Sequence, residues 1–146
     1  MPERTLVLIK PDAMKRGLAG EILHRFEAKG LRIVGLKMVR FDAALARKHY
    51  RAHVGKAFYP ALEEFIASAP SVALVLEGKD AIQLVRMMMG ATSHTAAAPG
   101  TIRGDYAFST EQNLVHGSDS PAAAKREISL FFAESELFPP QAAGAK

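Results

Sequence analysis

Thr5-Leu6-Val7-Leu8-Ile9, followed at once by Lys10-Pro11-Asp12, is the stretch on which the fold turns. A β-prone run with no apolar–polar alternation reads as a strand covered on both faces. Pro11, which has no N–H to donate to a ladder, ends it. Such a strand needs packing partners on both sides, and the chain supplies them. Residues 18–29 read as a helix with Leu18, Ile22, Leu23 and Phe26 on one face and Gly30 as its C-terminal cap. Leu31 to Phe41 is a second strand. Asp42 is placed to cap a helix running to about Ala52, and another covers about 60–68 behind Pro60. Val72 to Leu76 is a third strand. Asp80 is placed to cap a helix over 81–89 with Ala81, Leu84, Val85 and Met88 as its apolar stripe. Residues 90–112 show little periodicity and read as a long loop, of the kind that is usually functional. Asn113-Leu114-Val115 is a short fourth strand. Ser120 and Pro121 open a last helix that turns Ala124, Ile128, Phe131 and Phe132 inward.

The order β-α-β-α-α-β-α-loop-β-α predicts an α+β fold: a ferredoxin-like βαββαβ sandwich, with an antiparallel four-stranded sheet and additional helices. A doubly wound sheet is the alternative, and it needs more strands than the sequence offers. With 146 residues the expectation is one domain over 1–146, with a loose tail from about 139 to 146. The hydrophobic share of 49% and charged share of 23% exclude a disordered chain. There is no cysteine, which excludes disulfides and thiolate chemistry. No apolar run approaches the ~20 residues of a membrane span, so a soluble cytoplasmic protein with no membrane partner is expected.

The formal net charge is +4, unevenly spread. Residues 15–56 carry 11 basic and 3 acidic side chains, while residues 74–146 carry 6 and 8. The excess points to an anionic ligand: phosphates, nucleic acid or a membrane surface. The plainer alternative is a solvated basic face. No G-x-G-x-x-G exists, and Gly55-Lys56-Ala57 lacks the terminal hydroxyl and first glycine of a P-loop. Phosphates would therefore be bound by side chains.

Five histidines are candidates for chemistry. His24 reads as a surface residue, and His94 lies in the long loop without an obvious partner. His49 and His53, four apart, suit a metal only weakly, since no H-E-x-x-H is formed, and read first as surface residues. His116 stands apart. Gly117-Ser118-Asp119-Ser120 follow it and leave room for a phosphoryl group, and a helix N-terminus beside it favours anions. Neutral imidazole is a competent nucleophile. Glu127, two turns into the last helix, is spaced to orient the ring. The alternative is a polar loop histidine with a local hydrogen bond.

Asn113-Leu114-Val115-His116-Gly117-Ser118-Asp119-Ser120 resembles the active-site signature of nucleoside diphosphate kinases. Further stretches resemble the family in the same order: Arg4-Thr5 with Ile9-Lys10-Pro11-Asp12, Arg16-Gly17-Leu18 with Gly20-Glu21-Ile22, His49-Tyr50, Phe58-Tyr59 with Leu62, Gly90-Ala91-Thr92, and Pro99 to Asp105. The resemblance covers about residues 3–138. It implies a ferredoxin-like fold with extra helices. It also implies ping-pong transfer of a γ-phosphoryl group from a nucleoside triphosphate to a nucleoside diphosphate, with little base specificity.

On that resemblance His116 is the nucleophile through Nδ1, Glu127 orients it, Ser118 supports the carboxylate and Tyr50 adds a nearby hydroxyl. Lys10, Arg86 and Arg103 clamp the phosphates with Thr92. Phe58 stacks on the base, and Asn113 and Lys10 reach the ribose hydroxyls. Mg²⁺ arrives on the nucleotide phosphates, with no dedicated protein metal site. The family assembles as tetramers or hexamers built from dimers, so a homo-oligomer is implied. Ala13-Met14 and Ser93-His94-Thr95 depart from the family pattern, the latter replacing a frequent Asn-Pro; with Ala96 to Ala98, this bears on loop rigidity and assembly rather than chemistry. Two competing classes remain. A nucleic-acid-binding protein would use the basic 15–56 region, but the strands lack an aromatic RNA-binding pattern. A phosphohistidine carrier would not need a nucleotide clamp.

Overall fold

The computed structural model describes residues 2–140; residues 141–146 of the expected loose tail lie outside the described residues. Four strands form one sheet: β1 (Glu3–Ile9), β2 (Arg32–Val39), β3 (Ser71–Gly78) and β4 (Val115–Gly117), in the spatial order β2-β3-β1-β4. Every neighbouring pair is antiparallel. The continuous apolar run is the reason β1 sits inside the sheet. Leu6 and Leu8 point to one face and Val7 and Ile9 to the other, and all four are fully buried.

Seven helices connect and cover these strands: α1 (Pro11–Lys15), α2 (Ala19–Lys29), α3 (Ala43–His49), α4 (Tyr59–Ala67), α5 (Ala81–Met89), α6 (Ile102–Tyr106) and α7 (Pro121–Phe131), with a 3₁₀ turn at Glu134–Glu136. Helices α2 and α5 cross over one face, where Phe26, Ile22, Val85 and Met89 pack on Val7, Ile9, Leu74 and Leu76. The opposite face packs Leu6, Leu8, Ala73 and Val75 against Ala46 of α3, Ile66 of α4 and Phe131 of α7. Because β1 separates β3 from β4, and β3 separates β1 from β2, the two crossovers are split βαβ units. This is the expected ferredoxin-like fold, with α3, α4 and α7 as the added layer.

Several boundaries differ from the sequence expectation. The chain after Ile9 coils directly into α1, because Pro fits the first turn of a helix. Helix α3 stops at His49, short of Ala52. The stretch 90–112 is not a continuous loop: Thr101 Oγ1 accepts from Gly104 N at 3.0 Å and starts α6. The fourth strand is shifted to 115–117, since Leu114 adopts φ +76 and breaks the extended run before it.

Asp80 does not cap α5. It takes a left-handed conformation, and the Glu3 carboxylate instead accepts from Ile82 N at 2.9 Å. The buried stripe of α5 is Ala81, Ile82, Val85 and Met89, with Leu84 and Met88 half-buried. The expected caps at Asp42 (from Leu45 N, 2.8 Å), Ser120 (from Ala123 N, 3.1 Å) and Gly30 (φ +109) are present.

Candidate active site

β4 is an edge strand of three residues paired only to β1, with His116 opposite Leu8. Alternation turns Val115 into the α2–α5 core and His116 toward the other face, beside α3 and α7. Gly117 next to it lets β4 sit close on α5: a Cβ there would lie 2.9 Å from Met89 Cε and 3.2 Å from Val85 Cγ1, so the Met89 side chain would have to move.

His116 Nε2 lies 2.8 Å from Glu127 Oε1, and Ser118 Oγ donates to the same oxygen at 2.8 Å. Burial pushes the Glu127 carboxyl up. The hydrogen bond and charge of His116, with Ser118 and the Arg126 guanidinium, outweigh this and hold it below its usual value. Glu127 is therefore a carboxylate that accepts and Nε2–H is the donor, so in the neutral ring the free lone pair is on Nδ1. Ser118 is itself fixed, its N–H donating to Leu6 O at 3.0 Å.

In front of His116 opens a cavity of about 830 Å³. Lys10, Tyr50, Phe58, Arg86, Thr92, Arg103, Asn113 and His116 all line it; Ser118 and Glu127 stand behind the histidine. The polar side of the wall carries three cations, Lys10, Arg86 and Arg103, along with the carboxylates of Glu111 and Asp119. Lys10 Nζ donates to Asn113 Oδ1 at 3.0 Å, and Arg86 Nη1 donates to Gly117 O at 3.2 Å. Arg103 donates to three carbonyls, of Gly90 (2.9 Å), Asn113 (3.3 Å) and Val115 (2.8 Å).

Among the described residues, none of these three cations forms an ion pair with a carboxylate. Burial, and then the Arg103 charge, push Lys10 down to about 8, against the opposing pull of Asp12. Burial and Arg86 lower Arg103 to about 10. Three cations without a carboxylate partner, two of them desolvated by burial, form a site for a polyanion. Opposite them, Phe58 is 52% exposed at the mouth, a flat apolar surface for a ring to cover.

Two residues at the site escaped the sequence reading. His49 is not on the surface: it is 6% exposed, wedged among Phe41, Tyr50 and Phe131, with its ring perpendicular to His116 at 4.8 Å. Neither ring nitrogen has a hydrogen-bond partner. Burial, followed by the charges of His116, Lys10 and Arg126, lowers its pKa to about 2, so it is neutral. The Tyr50 ring lies 4.5 Å from His49, and its hydroxyl is buried and unpartnered, which pushes its pKa up.

Asp12 is the second. Its Oδ2 accepts from Leu114 N at 3.1 Å while Lys10 N donates to Leu114 O at 2.8 Å. These bonds hold Leu114 at its left-handed φ, a strain of about 1–3 kcal/mol, and so turn Asn113 toward the cavity. His94 also gains a partner the sequence did not suggest, Thr110 Oγ1 at 3.0 Å. In the same loop the Ala96 and Ala97 N–H groups both donate to Ser93 O.

Residues 3–137 match the family model for nucleoside diphosphate kinase. The chain belongs to the nucleoside diphosphate kinase family. It is 57% identical over 132 residues to the nucleoside diphosphate kinase of Nocardioides sp., covering 90% of this chain and 98% of the relative. It is 56% identical to that of Pelotomaculum thermopropionicum, covering 92% and 91%. The halophilic nucleoside diphosphate kinase of Halobacterium salinarum, solved in complex with CDP, superposes with a TM-score of 0.95 at 49% identity, covering 98% of this chain and 95% of that one. The fold and the family agree with the resemblance read from the signature around His116.

Proposed function

We propose that the chain is a nucleoside diphosphate kinase that carries the phosphoryl group on His116. One observation carries this reading. The His116–Glu127–Ser118 chain of hydrogen bonds leaves Nδ1 facing a cavity whose three cations have no carboxylate partner. Nδ1 donates its lone pair to the γ-phosphorus of a bound nucleoside triphosphate. The bond from that phosphorus to the β–γ bridging oxygen breaks, and the electron pair leaves with the nucleoside diphosphate. The positive charge on the ring is met by Glu127 through Nε2–H. An incoming nucleoside diphosphate then attacks with a terminal β-phosphate oxygen, and the Nδ1–P bond breaks. Lys10, Arg86 and Arg103 neutralise the transferring phosphates, which is most of what such a site has to do. Thr92 adds a hydroxyl, Asn113 and Lys10 reach the ribose, and Phe58 stacks on any base.

Mg²⁺ enters as part of the substrate. Phosphate oxygens are the hard ligands that it prefers. The CDP bound by the Halobacterium salinarum relative supports the nucleotide reading of the cavity. The protein acts in the cytoplasm; among the described residues no helix is long and apolar enough to cross a membrane. It works as a homo-oligomer, tetramer or hexamer. Leu36 and Met38, 52% and 64% exposed on the edge strand β2, supply an apolar surface for self-association, which sedimentation at graded concentration checks.

The deciding experiment is labelling with γ-³²P-ATP and Mg²⁺. The expected product is an acid-labile, base-stable label on His116 that chases to any added nucleoside diphosphate. Label and transfer retained in His116→Ala would overturn the mechanism.

A further inference from the structure

The cations that bind in the cavity are not those that make the chain basic. Lys10, Arg86 and Arg103 all lie outside the 15–56 stretch. Part of that excess gathers at a second concavity, a groove of about 520 Å³ between α3 and α7, lined by Arg47, Lys48, Arg51, Arg126, Ser129 and Leu130. Arg47 and Lys48 stand in the last turn of α3, where helix carbonyls favour cations. That accounts for those two alone. Arg51 lies beyond the helix, and Arg126 comes from the middle of α7.

The nearby carboxylates pair with Arg47 and Arg126 and offset only part of the groove's charge. Glu63 Oε1 is 3.9 Å from Arg47 Nε and already accepts from Tyr59 OH at 2.9 Å. Glu127 is buried, engaged by His116 and Ser118 through one oxygen and paired with Arg126 through the other. Lys48 and Arg51 form no ion pair among the described residues. No aromatic ring lines the groove, and its cations suit phosphate oxygens.

We propose that the α3–α7 groove is a second anion site, taking a short chain of linked phosphates, and that its occupancy reaches His116 through Arg126. The shared element is the Arg126 guanidinium. It lines the groove, and its Nη2 is 3.4 Å from Glu127 Oε2, the oxygen that His116 and Ser118 leave free. An anion in the groove draws Arg126 away. Glu127 then turns its full charge on His116 Nε2–H and meets the positive charge of the phosphorylated ring more fully. The other groups facing this pair remain in place: His49 from α3, Lys10 at the end of β1, Arg86 on the Gly117 carbonyl, and Asp119 on the cavity wall. This coupling rests on His116 being the nucleophile; the groove site does not.

Calorimetry with tripolyphosphate tests the site on the full chain. Wild type is expected to show two sites, one in the cavity and one in the groove. The double variant Lys48→Gln/Arg51→Gln should keep only the cavity site, with its rate of His116 phosphorylation unchanged. Lys10→Gln/Arg86→Gln should keep only the groove site, so failure of the cavity reading and failure of the groove are separable. No binding in Lys10→Gln/Arg86→Gln, or two sites persisting in Lys48→Gln/Arg51→Gln, overturns the groove. An oligo-dT that binds the groove tighter than tripolyphosphate, and loses that binding in Lys48→Gln/Arg51→Gln, overturns the assignment in favour of nucleic acid. For the coupling, Arg126→Gln mimics the withdrawn guanidinium. The variant should phosphorylate His116 about threefold faster than wild type with nucleotide KM unchanged, and Arg126→Lys should return the rate. A purely structural Arg126 would lower stability without raising that rate, and an unchanged rate overturns the coupling.

Discussion

β4 and α3 each bring a histidine to the same point, and the two rings meet at 4.8 Å with opposite fates. His116 is half-buried, tied through Nε2 to a buried carboxylate and open to the cavity through its other nitrogen. His49 is buried among aromatic rings with neither nitrogen satisfied. The difference teaches that reactivity comes from surroundings rather than residue type. A carboxylate on one nitrogen makes imidazole a nucleophile. An apolar cage makes the same ring a neutral spacer that shapes its neighbour's position.

The largest test of this contrast removes the carboxylate. Glu127→Gln should lower the rate of His116 phosphorylation by roughly 10²–10³-fold with substrate KM little changed, whereas His49→Phe should leave the rate within about threefold. Rapid-quench kinetics on both variants checks this, and equal losses would end the distinction.

Next is the wall opposite the histidines. Arg103→Lys cannot bridge the carbonyls of Gly90, Asn113 and Val115 together. It should lose about 2–4 kcal/mol of stability as well as nucleotide affinity, measured by urea melts and by KM.

Acid sensitivity comes third. The His49 pKa of about 2 in the folded state lies below its ordinary 6.5, so below pH 6.5 the unfolded chain binds a proton that the folded one does not. Stability is therefore complete above pH 6.5 and falls by up to about 1.4 kcal/mol per pH unit beneath it. Glu127, also lowered, adds its loss below its ordinary 4.5. Urea melts should show a slope between pH 6.5 and 4.5 that flattens in His49→Phe.

The smallest effect is at the mouth. Phe58→Ala should weaken nucleotide binding by about 1 kcal/mol for every base alike, without a change in melting temperature.

The contrast between the two histidines also marks how far the sequence could be read. The signature from Asn113 to Ser120 made His116 legible, and the spacing to Glu127 on one helix made its partner legible. His49 and His53 invited a metal or surface reading because burial depends on Phe41 and Phe131, which lie 8 and 82 residues from His49. Asp12 was invisible as the clamp on Leu114, since that bond spans 102 residues. Helix α6 was read as loop because five residues carry too little periodicity, and the Thr101 cap and Arg103 contacts hold it instead.

What the sequence determined by itself is what local chemistry can encode: a β1 run apolar on every side, caps at Gly30, Asp42 and Ser120, four strands in an α+β order, and a motif that names the family. What only the tertiary structure decided is where charge and burial fall: which histidine is caged, which cations face the cavity without a counter-ion, and where the remaining basic residues collect. Those depend on groups far apart in sequence sharing one low-dielectric neighbourhood, and desolvation is a property of that neighbourhood rather than of any residue in it.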